Sequence, residues 1–595
     1  MTGESSLGCR PVPARTSFKT GHLTAALVVA LYVAIQSFAI LGPFFPLDDL
    51  QELAVVNGME HWWQIFGSDA FQLFRPVKNL IFAFFALVPR SMTLICRVAA
   101  MTIGCASFFP MLALSRRVFG SEWRALVTAS VWLLAPTLVS SVAWLSCVNI
   151  QVMCAFVALT IALHDKAFDD GVFRPFYVVV AAVCLFLACA SYEQAVVTIV
   201  LVVLFDFYLR PERVRSKKAI QTYAVYVLVT LVYLLFRGMV GSTTSLNGSF
   251  DSVNRIDIAL ASAYFTCQHF FVWLWPFGNM SPTGSYAQGD VSSIVLVACW
   301  LVVVALGVMA AVFRRSNPLF AFGIAFALVG FLPVSNILGF GNGPYGDYYM
   351  GIPSMGLSVW LVVVCDWFFA KNGRFRMIGF ALGVFLIASR VFAVPEAARW
   401  AWLWSDGARA FESGIEAFPS MFANRQFYAR ICYENGQLDT LKGCCDWLES
   451  HLSQGSEQLS FVYLARALVA LNVEQDSNAA MRNLDNALGV DKRGGALRVI
   501  RFYRGCVYED LLNDNKAAEV EYRAAIAGKW SIDTPAAADR LARLLALRGE
   551  ADEAEALWVK ALKYQPDNAV IRHNLTLLRR NMSAKKNMSH EKQGR

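Results

Sequence analysis

From Gly21 to about residue 395 the chain is a succession of apolar runs, many of them about 17–24 residues long. One such run crosses a hydrocarbon core of ~30 Å as a single helix. Lipid offers no partner to a stray backbone N–H or C=O, so a segment held there must satisfy its own backbone. The composition agrees: 56% of residues are hydrophobic and 16% charged, against roughly 25% charged in soluble domains, and the mean hydropathy is +0.46. The expected fold is all-α, with a polytopic membrane domain over 21–395. Beyond it charge returns and the long runs stop, so a soluble part follows.

Spans are expected at about 22–44, 92–114, 124–142, 148–164, 175–191, 194–209, 220–237, 291–313, 318–335, 351–370 and 377–394, about eleven in all. The first follows a short basic leader, residues 1–20, with Arg10, Arg15 and Lys19; lacking a small-residue cleavage site, it reads as a span rather than a signal peptide. "FRPVKNLIFAFFALVPR" is short and bounded by Arg and Pro, and is expected to lie at the interface. With the N-terminus in the cytoplasm, cytoplasmic segments carry Arg116, Arg117, Arg124, Lys166, Arg174, the cluster Arg210–Lys218, Arg314, Arg315, Lys371, Arg374 and Arg376. The opposite segments, chiefly the loops 45–91 and 238–290, are long yet basic-poor, with Arg75, Lys78, Arg90, Arg237 and Arg255. The net charge of +8 is therefore read as span-flanking charge, not as a nucleic-acid surface. An odd number of spans puts the C-terminal part outside too, in a bacterial periplasm in preference to a reticulum lumen.

That part has its own period. In "LARLLALRGEADEAEALWVKALKYQPDNA", Ala542, Leu545, Gly549, Ala554, Trp558, Ala561 and Pro566 stand at the offsets of a tetratricopeptide repeat. Gly505, Tyr508, Ala518, Tyr522 and Ala525 repeat the pattern with one residue inserted; Ala480, Leu484 and Ala487 give a third copy, and Ala429, Cys432, Gly436, Leu441 and Cys445 a fourth. Four repeats over 424–570 are enough for a short α-solenoid. Residues 396–423 read as a linker and 582–595 as a basic disordered tail. The fourteen cysteines are scattered without a Cys-x-x-Cys pair and read as packing residues. Cys432, Cys444, Cys445 and Cys506 could pair in an oxidising compartment, though nothing in their spacing demands it. The triplets at Asn247, Asn279 and Asn574 would face outward and could carry N-glycans in a eukaryote.

Ionisable residues beside apolar spans are costly and therefore functional candidates. Asp48 and Asp49 open an amphipathic helix, with Leu50, Leu53 and Ala54 expected inward and Gln51 and Glu52 toward water; as helix-capping acids they would also complement the dipole. Arg75, followed by Pro76, has the planar fork that grips a phosphate. Glu193 lies between two spans with almost no loop, where it could bind Arg75, hold a metal or mark a turn. "FLPVSNILGFGNGPYGDYYMGIPSMG" breaks the helical pattern with Pro333, Asn336, Asn342 and Asp347, which needs a protein-lined or wet surrounding. Its Tyr345, Tyr348 and Tyr349 could stack on a sugar or anchor at the interface.

The order of these signals resembles the GT-C superfamily of polyprenyl-phosphate-sugar-dependent glycosyltransferases, and within it the transmembrane and tetratricopeptide-repeat protein O-mannosyltransferases. "LDDLQELAVVN" resembles that family's first-loop Asp-Asp motif, "FRPVKNL" its Tyr-Arg-Pro-Leu segment, and "SYEQAVV" its Lys-Glu-Gln motif with Tyr192 in place of Lys. "LPVSNIL" and "YYMGIPSMG" resemble its Leu-Pro-x-Ser-Asn and Tyr-Leu-Pro-Ser-Met-Gly runs, with Asp347-Tyr348 where it has Glu-Arg. "APTLVSSVAWLSCVN" resembles a further segment but carries Ser140 and Asn149 where the family has Glu and Arg.

The resemblance implies transfer of a sugar from a polyprenyl- or dolichyl-phosphate donor to an acceptor protein or glycan on the outer face, with inversion. Asp48 or Asp49 would be the general base, Asp48 placed first. Arg75 would meet the donor phosphate, and Glu193, Asn336, Asp347 and Tyr348 would shape the pocket. A divalent cation, Mg or Mn, would have Asp49 and Glu193 as its candidate ligands. The repeats would bind an acceptor protein or a partner. Two competing readings are an envelope polysaccharide polymerase, ligase or flippase, and a non-catalytic membrane-anchored assembly platform.

Overall fold

The computed structural model describes residues 15–40, 48–70, 73–89, 92–240, 255–278, 291–337, 346–369, 376–419, 422–452, 458–491, 496–528 and 534–593, with single positions 42, 456 and 530; the structural statements below concern these residues. All described secondary structure is helical. α1 (Arg15–Ile40) leads to the short α2 (Asp48–Asn57) and α3 (Pro76–Ala86), then to the long α4 (Thr93–Phe119). Tyr345, Asn342 and parts of the loop 238–290 lie outside the described residues, as do Asn247 and Asn279.

Seven described helices are long and apolar enough to cross a membrane, and a bent pair makes an eighth. The pair, Glu122–Leu133 and Pro136–Ala143, turns by 59°. Pro136 has no N–H to give and pushes the preceding residue out of helical geometry, so the single span expected at 124–142 is broken. Pro175–Ser191, Thr198–Leu209 and Pro318–Phe331 are shorter helices. The loop expected over 238–290 contains a 20-residue helix, Arg255–Leu274, that buries Phe265, Phe270 and Trp273. Asp257, Ser262, Thr266 and His269 interrupt its apolar run, which hid it from hydropathy.

Burial separates central helices from peripheral ones. The window in Leu145–Lys166 is 78% buried, that in Ser293–Val312 6%; the second turns nearly its whole apolar surface outward, as lipid would require. Pro318–Phe331 and Gly351–Phe369 pack backbone to backbone, and a Cβ at Gly356 would stand 2.6 Å from the Gly323 carbonyl. α3 exposes Leu80 and Phe84 while burying Lys78, Asn79, Phe82 and Phe85, which suits a helix lying along an interface.

The helix ends alternate between two poles. At one, Arg117 pairs with Asp165 and Asp169, Arg213 with Asp165, and Arg124 with Asp366. The other gathers α2, α3, Ser146, Glu193, Arg237 and the turn at Asp347.

The solenoid forms four helical hairpins: Phe422–Glu434 with Leu438–His451, Leu459–Val469 with Ser477–Val490, Leu497–Cys506 with Asn515–Ile526, and Thr534–Arg548 with Ala551–Tyr564. Ala542, Leu545, Ala554, Trp558 and Ala561 are all buried between them. The inserted residue of the Gly505 copy appears as a π-helical turn at Val507–Leu511, the way a helix absorbs one extra residue. Of residues 396–423, expected as a linker, the described ones are largely helical. Arg376–Trp404 runs on as one helix, and Gly407–Ala417 packs Phe411 against Phe427 at 5.1 Å. The tail is likewise helical, within Ala569–Gln593, where Ala, Met, Lys and Glu favour helix. Asn574 lies in it and gives its amide to Asp539 at 3.1 Å. The described cysteines are unpaired.

Candidate functional site

The acidic pair divides between two faces of one helix. Asp49, Glu52, Leu53 and Val56 recur at helical spacing and are buried, while Asp48 and Gln51, three apart, share another face and are half-buried. Glu52, expected in water, is therefore wholly inside. The helix is driven inward by its cationic neighbours as well as by its leucines: Glu52 meets Lys78 at 2.5 Å and accepts the Ala70 N–H at 3.3 Å.

Asp49 is fully engaged. Its Oδ1 accepts from the Ser146 N–H and hydroxyl, both at 2.7 Å. Ser146 lies in the turn Leu145–Cys147, at the start of the helix Val148–Lys166, whose N-terminal dipole favours a negative charge. Arg97, buried near the start of α4, adds its charge to Asp49 and donates to the Ala143 carbonyl. The break at Pro136 that ends the preceding helix is what brings this turn back under α2.

A second group is built on Arg75. Its Nε and Nη2 grip Glu193 at 2.8 and 2.6 Å, and its Nη1 stands 3.4 Å from Asp69. The guanidinium lies over Tyr192, 4.4 Å from the ring centroid, so the residue at the resemblance's Lys position serves here as a stacking plate. Asp69 also accepts the Leu73 N–H at 2.8 Å and lies 3.8 Å from Lys78. Arg237 approaches Glu193 from the far side at 3.7 Å. The result is one buried lattice in which Arg75, Lys78 and Arg237 face Glu52, Asp69 and Glu193, with the Asp49–Arg97 group as a second buried charge cluster. Burial alone would raise Glu193, but the charge and hydrogen bonds of Arg75 hold it below the usual carboxylate range.

Asp48 is the fifth carboxylate. Among the described residues nothing pairs with it. Burial pushes it up to about 7; Asp49, Glu52 and Asp69 act in the same direction, and Lys78 opposes them. A half-buried carboxyl that titrates near neutrality is suited to accept a proton.

The remaining candidates form a separate wall. Tyr348 packs edge-on to Trp144 at 6.0 Å, and Trp144 stacks on Trp404 at 5.2 Å. Gln194 joins this wall to the Arg75 group by donating to the carbonyls of Gly330 and Tyr349, each at 3.0 Å. Asp347 is buried at the head of the turn Asp347–Met350. Asn336 takes a left-handed conformation, φ 68°, after the Pro333 turn, and its amide is 3.4 Å from the Val334 carbonyl. Asn149 donates to the Ser191 carbonyl at 2.7 Å, filling structurally the place where the resemblance would put Arg.

The two expected metal ligands do not fit a cation. Glu193 is held by Arg75 and Arg237, and Asp49 by Ser146 and Arg97. A divalent ion wants about six oxygens converging on one point, and among the described residues no three His, Cys, Asp or Glu side chains do so. Sequence reasoning missed Glu52, Asp69, Lys78, Arg97 and Ser146 as site residues. Lys78 inside an apolar helix and Arg97 inside a span were signals of the same kind as Glu193.

No protein-family model and no curated relative matches the chain. Among solved structures it is similar to a thermophilic TPR protein of Thermus thermophilus, at 25% identity over 33% of this chain and 95% of that one, with a TM-score of 0.24. It is also similar to the archaeal oligosaccharyltransferase AglB of Archaeoglobus fulgidus in complex with an inhibitory peptide and a dolichol-phosphate, at 13% identity over 65% of this chain and 56% of that one, TM-score 0.40. The Archaeoglobus fulgidus oligosaccharyltransferase tethered to an acceptor peptide aligns at 14% identity over 70% and 59%, TM-score 0.41. This chain thus spans a little over half the length of those archaeal structures. Overlaps this loose carry no argument about chemistry.

Proposed function

We propose that this chain is a membrane glycosyltransferase that moves a sugar from a polyprenyl- or dolichyl-phosphate donor to an acceptor hydroxyl, on the side of the membrane away from the cytoplasm. The observation that carries the reading is the contrast within the acidic pair. Asp49 is spent on Ser146 and Arg97, whereas Asp48 has no partner among the described residues and is held near neutrality. Asp48 is then the general base and Asp49 the residue that positions it. The acceptor oxygen attacks the anomeric carbon while Asp48 takes its proton. The bond from that carbon to the donor phosphate breaks, and its electron pair leaves with the lipid phosphate. One displacement of this kind inverts the anomeric centre, and a base so placed is worth ~10²–10⁴-fold in rate.

Arg237, at the longer 3.7 Å from Glu193, is assigned to the charge developing on the leaving phosphate. Arg75 itself is buried behind Glu193 and acts through position rather than as an open phosphate fork. Tyr348, half-buried in front of the buried Trp144–Trp404 stack, offers the aromatic face on which a sugar or the acceptor would lie.

The test is transfer in membranes supplied with a panel of polyprenyl-phosphate hexoses and a Ser/Thr-rich protein acceptor. Asp48→Asn should abolish transfer at wild-type protein levels. Full transfer by both Asp48→Asn and Asp49→Asn would end the reading.

A further inference from the structure

At the pole opposite the acidic pair the cations are of two kinds. Arginines take the nearby acids: Arg213 meets Asp165 at 2.6 Å, Arg117 meets Asp169 at 2.6 Å and Arg174 meets Asp170 at 3.4 Å. Lys166 and Lys218 have no carboxylate partner among the described residues. Each lies instead over an aromatic ring, Lys166 Nζ 4.6 Å from the Tyr177 centroid and Lys218 Nζ 5.2 Å from that of Phe173. A ring face attracts an ammonium but has no net charge to cancel it. It also leaves N–H donors on the ammonium's other side.

The two lysines come from different helices. Lys166 ends the apolar helix Leu145–Lys166, and Lys218 stands at the start of the apolar helix Lys217–Met239, both long enough to cross a membrane. Both pack against Pro175–Ser191, which has Tyr177 in its first turn and Phe173 just before it. From that end Phe176, Val179 and Val183 descend the helix at i, i+3 and i+7, exposed by 70%, 61% and 54%. They make one apolar stripe.

We propose that this end of the helix binds an anionic phospholipid, with its headgroup phosphate on the ammoniums of Lys166 and Lys218 and an acyl chain along Phe176, Val179 and Val183. The inference does not depend on the glycosyl-transfer reading. Charges at the ends of two membrane-crossing helices stand at headgroup depth. Two ammoniums without a carboxylate favour a headgroup of net negative charge over a zwitterionic one, whose own cation they repel. The rings already hold the lysines in place, so less side-chain freedom is lost on binding. The stripe distinguishes a lipid from other phosphates: inorganic phosphate has no chain to lay along it.

The experiment uses the full chain with Phe176 replaced by the photo-reactive p-benzoylphenylalanine, in phosphatidylcholine vesicles. The vesicles carry a trace of alkyne-tagged lipid, either phosphatidylglycerol or phosphatidylcholine. Illumination should capture tagged phosphatidylglycerol preferentially. The same replacement at Phe84, exposed on α3, should capture the two lipids alike. Lys166→Gln and Lys218→Gln should each cut the preference roughly fivefold, whereas Lys166→Arg with Lys218→Arg should keep it, with melting temperature confirming the fold. Equal capture of the two lipids at position 176, the same preference at position 84, or a preference unchanged in the folded Lys166→Gln, Lys218→Gln double variant would overturn the proposal. So would its loss on adding inorganic phosphate at constant ionic strength, which would mark a site for the free ion.

Discussion

The guanidinium of Arg75 closes on the carboxylate of Glu193 with two parallel hydrogen bonds, 2.8 and 2.6 Å, across 118 residues of sequence. The pair is buried and ties the end of α3 to the turn between two apolar helices.

Removing one member leaves an uncompensated buried charge. Arg75→Ala should cost about 3–5 kcal/mol, and Arg75→Lys should recover little, because an ammonium cannot make the fork. Unfolding in detergent measures this. Arg75→Ala with Glu193→Gln should cost clearly less than the two single changes added together.

The two aspartates should behave differently. Asp48→Asn should lower transfer by ~10²–10⁴ with the melting temperature unchanged or raised. Asp49→Asn should lower the melting temperature as well, costing about 1–3 kcal/mol, since it withdraws the charge that faces Arg97 and weakens the bonds to Ser146. Parallel melting and transfer assays on purified variants separate the two outcomes.

The pH dependence has a definite sign. Asp48, held at about 7 by burial, works only when ionised. Transfer should climb about tenfold per pH unit below 7 and level off above it, and Asp48→Asn should lose the climb. Stability runs the other way. An unfolded Asp titrates near 3.9, so the native state binds the extra proton between that value and 7. The stability Asp48 contributes is present below about pH 4 and is lost as pH rises through 7.

The solenoid is seated just past the end of α2, where a Cβ at Gly58 would stand 2.6 Å from the Tyr564 ring and Lys563 lies 3.2 Å from Glu60. Gly58→Val would drive its side chain into Tyr564 and should loosen the solenoid, seen as faster proteolysis after Trp404. Lys563→Ala removes only an exposed ion pair and should change stability by less than ~0.5 kcal/mol.

Orientation is open to direct labelling. In intact cells a membrane-impermeant maleimide should reach Lys563→Cys near the acidic pair, and should not reach Arg116→Cys at the opposite pole. The reverse pattern would place Asp48 in the cytoplasm and remove the proposed chemistry.

The helical architecture was legible because lipid leaves the backbone no alternative, and the solenoid because its hairpins need small residues at a fixed period. Asp48, Asp49, Arg75 and Glu193 were legible for a related reason: charge beside apolar spans is too costly to be idle. The π turn at Val507–Leu511 even answers to the single inserted residue read from the repeat. Less was visible where local pattern misled. Glu52 looks solvated on a helical wheel, yet Lys78 draws it inside. Arg255–Leu274 looked like a loop because its polar residues interrupt the hydropathy on which spans are found.

By itself the sequence determined that the chain makes apolar helices, a four-hairpin solenoid and a set of charges it must satisfy near the membrane. Only the tertiary structure decided how those charges divide, with Asp49 spent on Ser146 and Arg97, Arg75 spent on Glu193, and Asp48 left without a partner among the described residues. The physical reason is that ion pairing in a low-dielectric interior depends on distances of a few ångströms between residues a hundred positions apart, and no local pattern carries those distances.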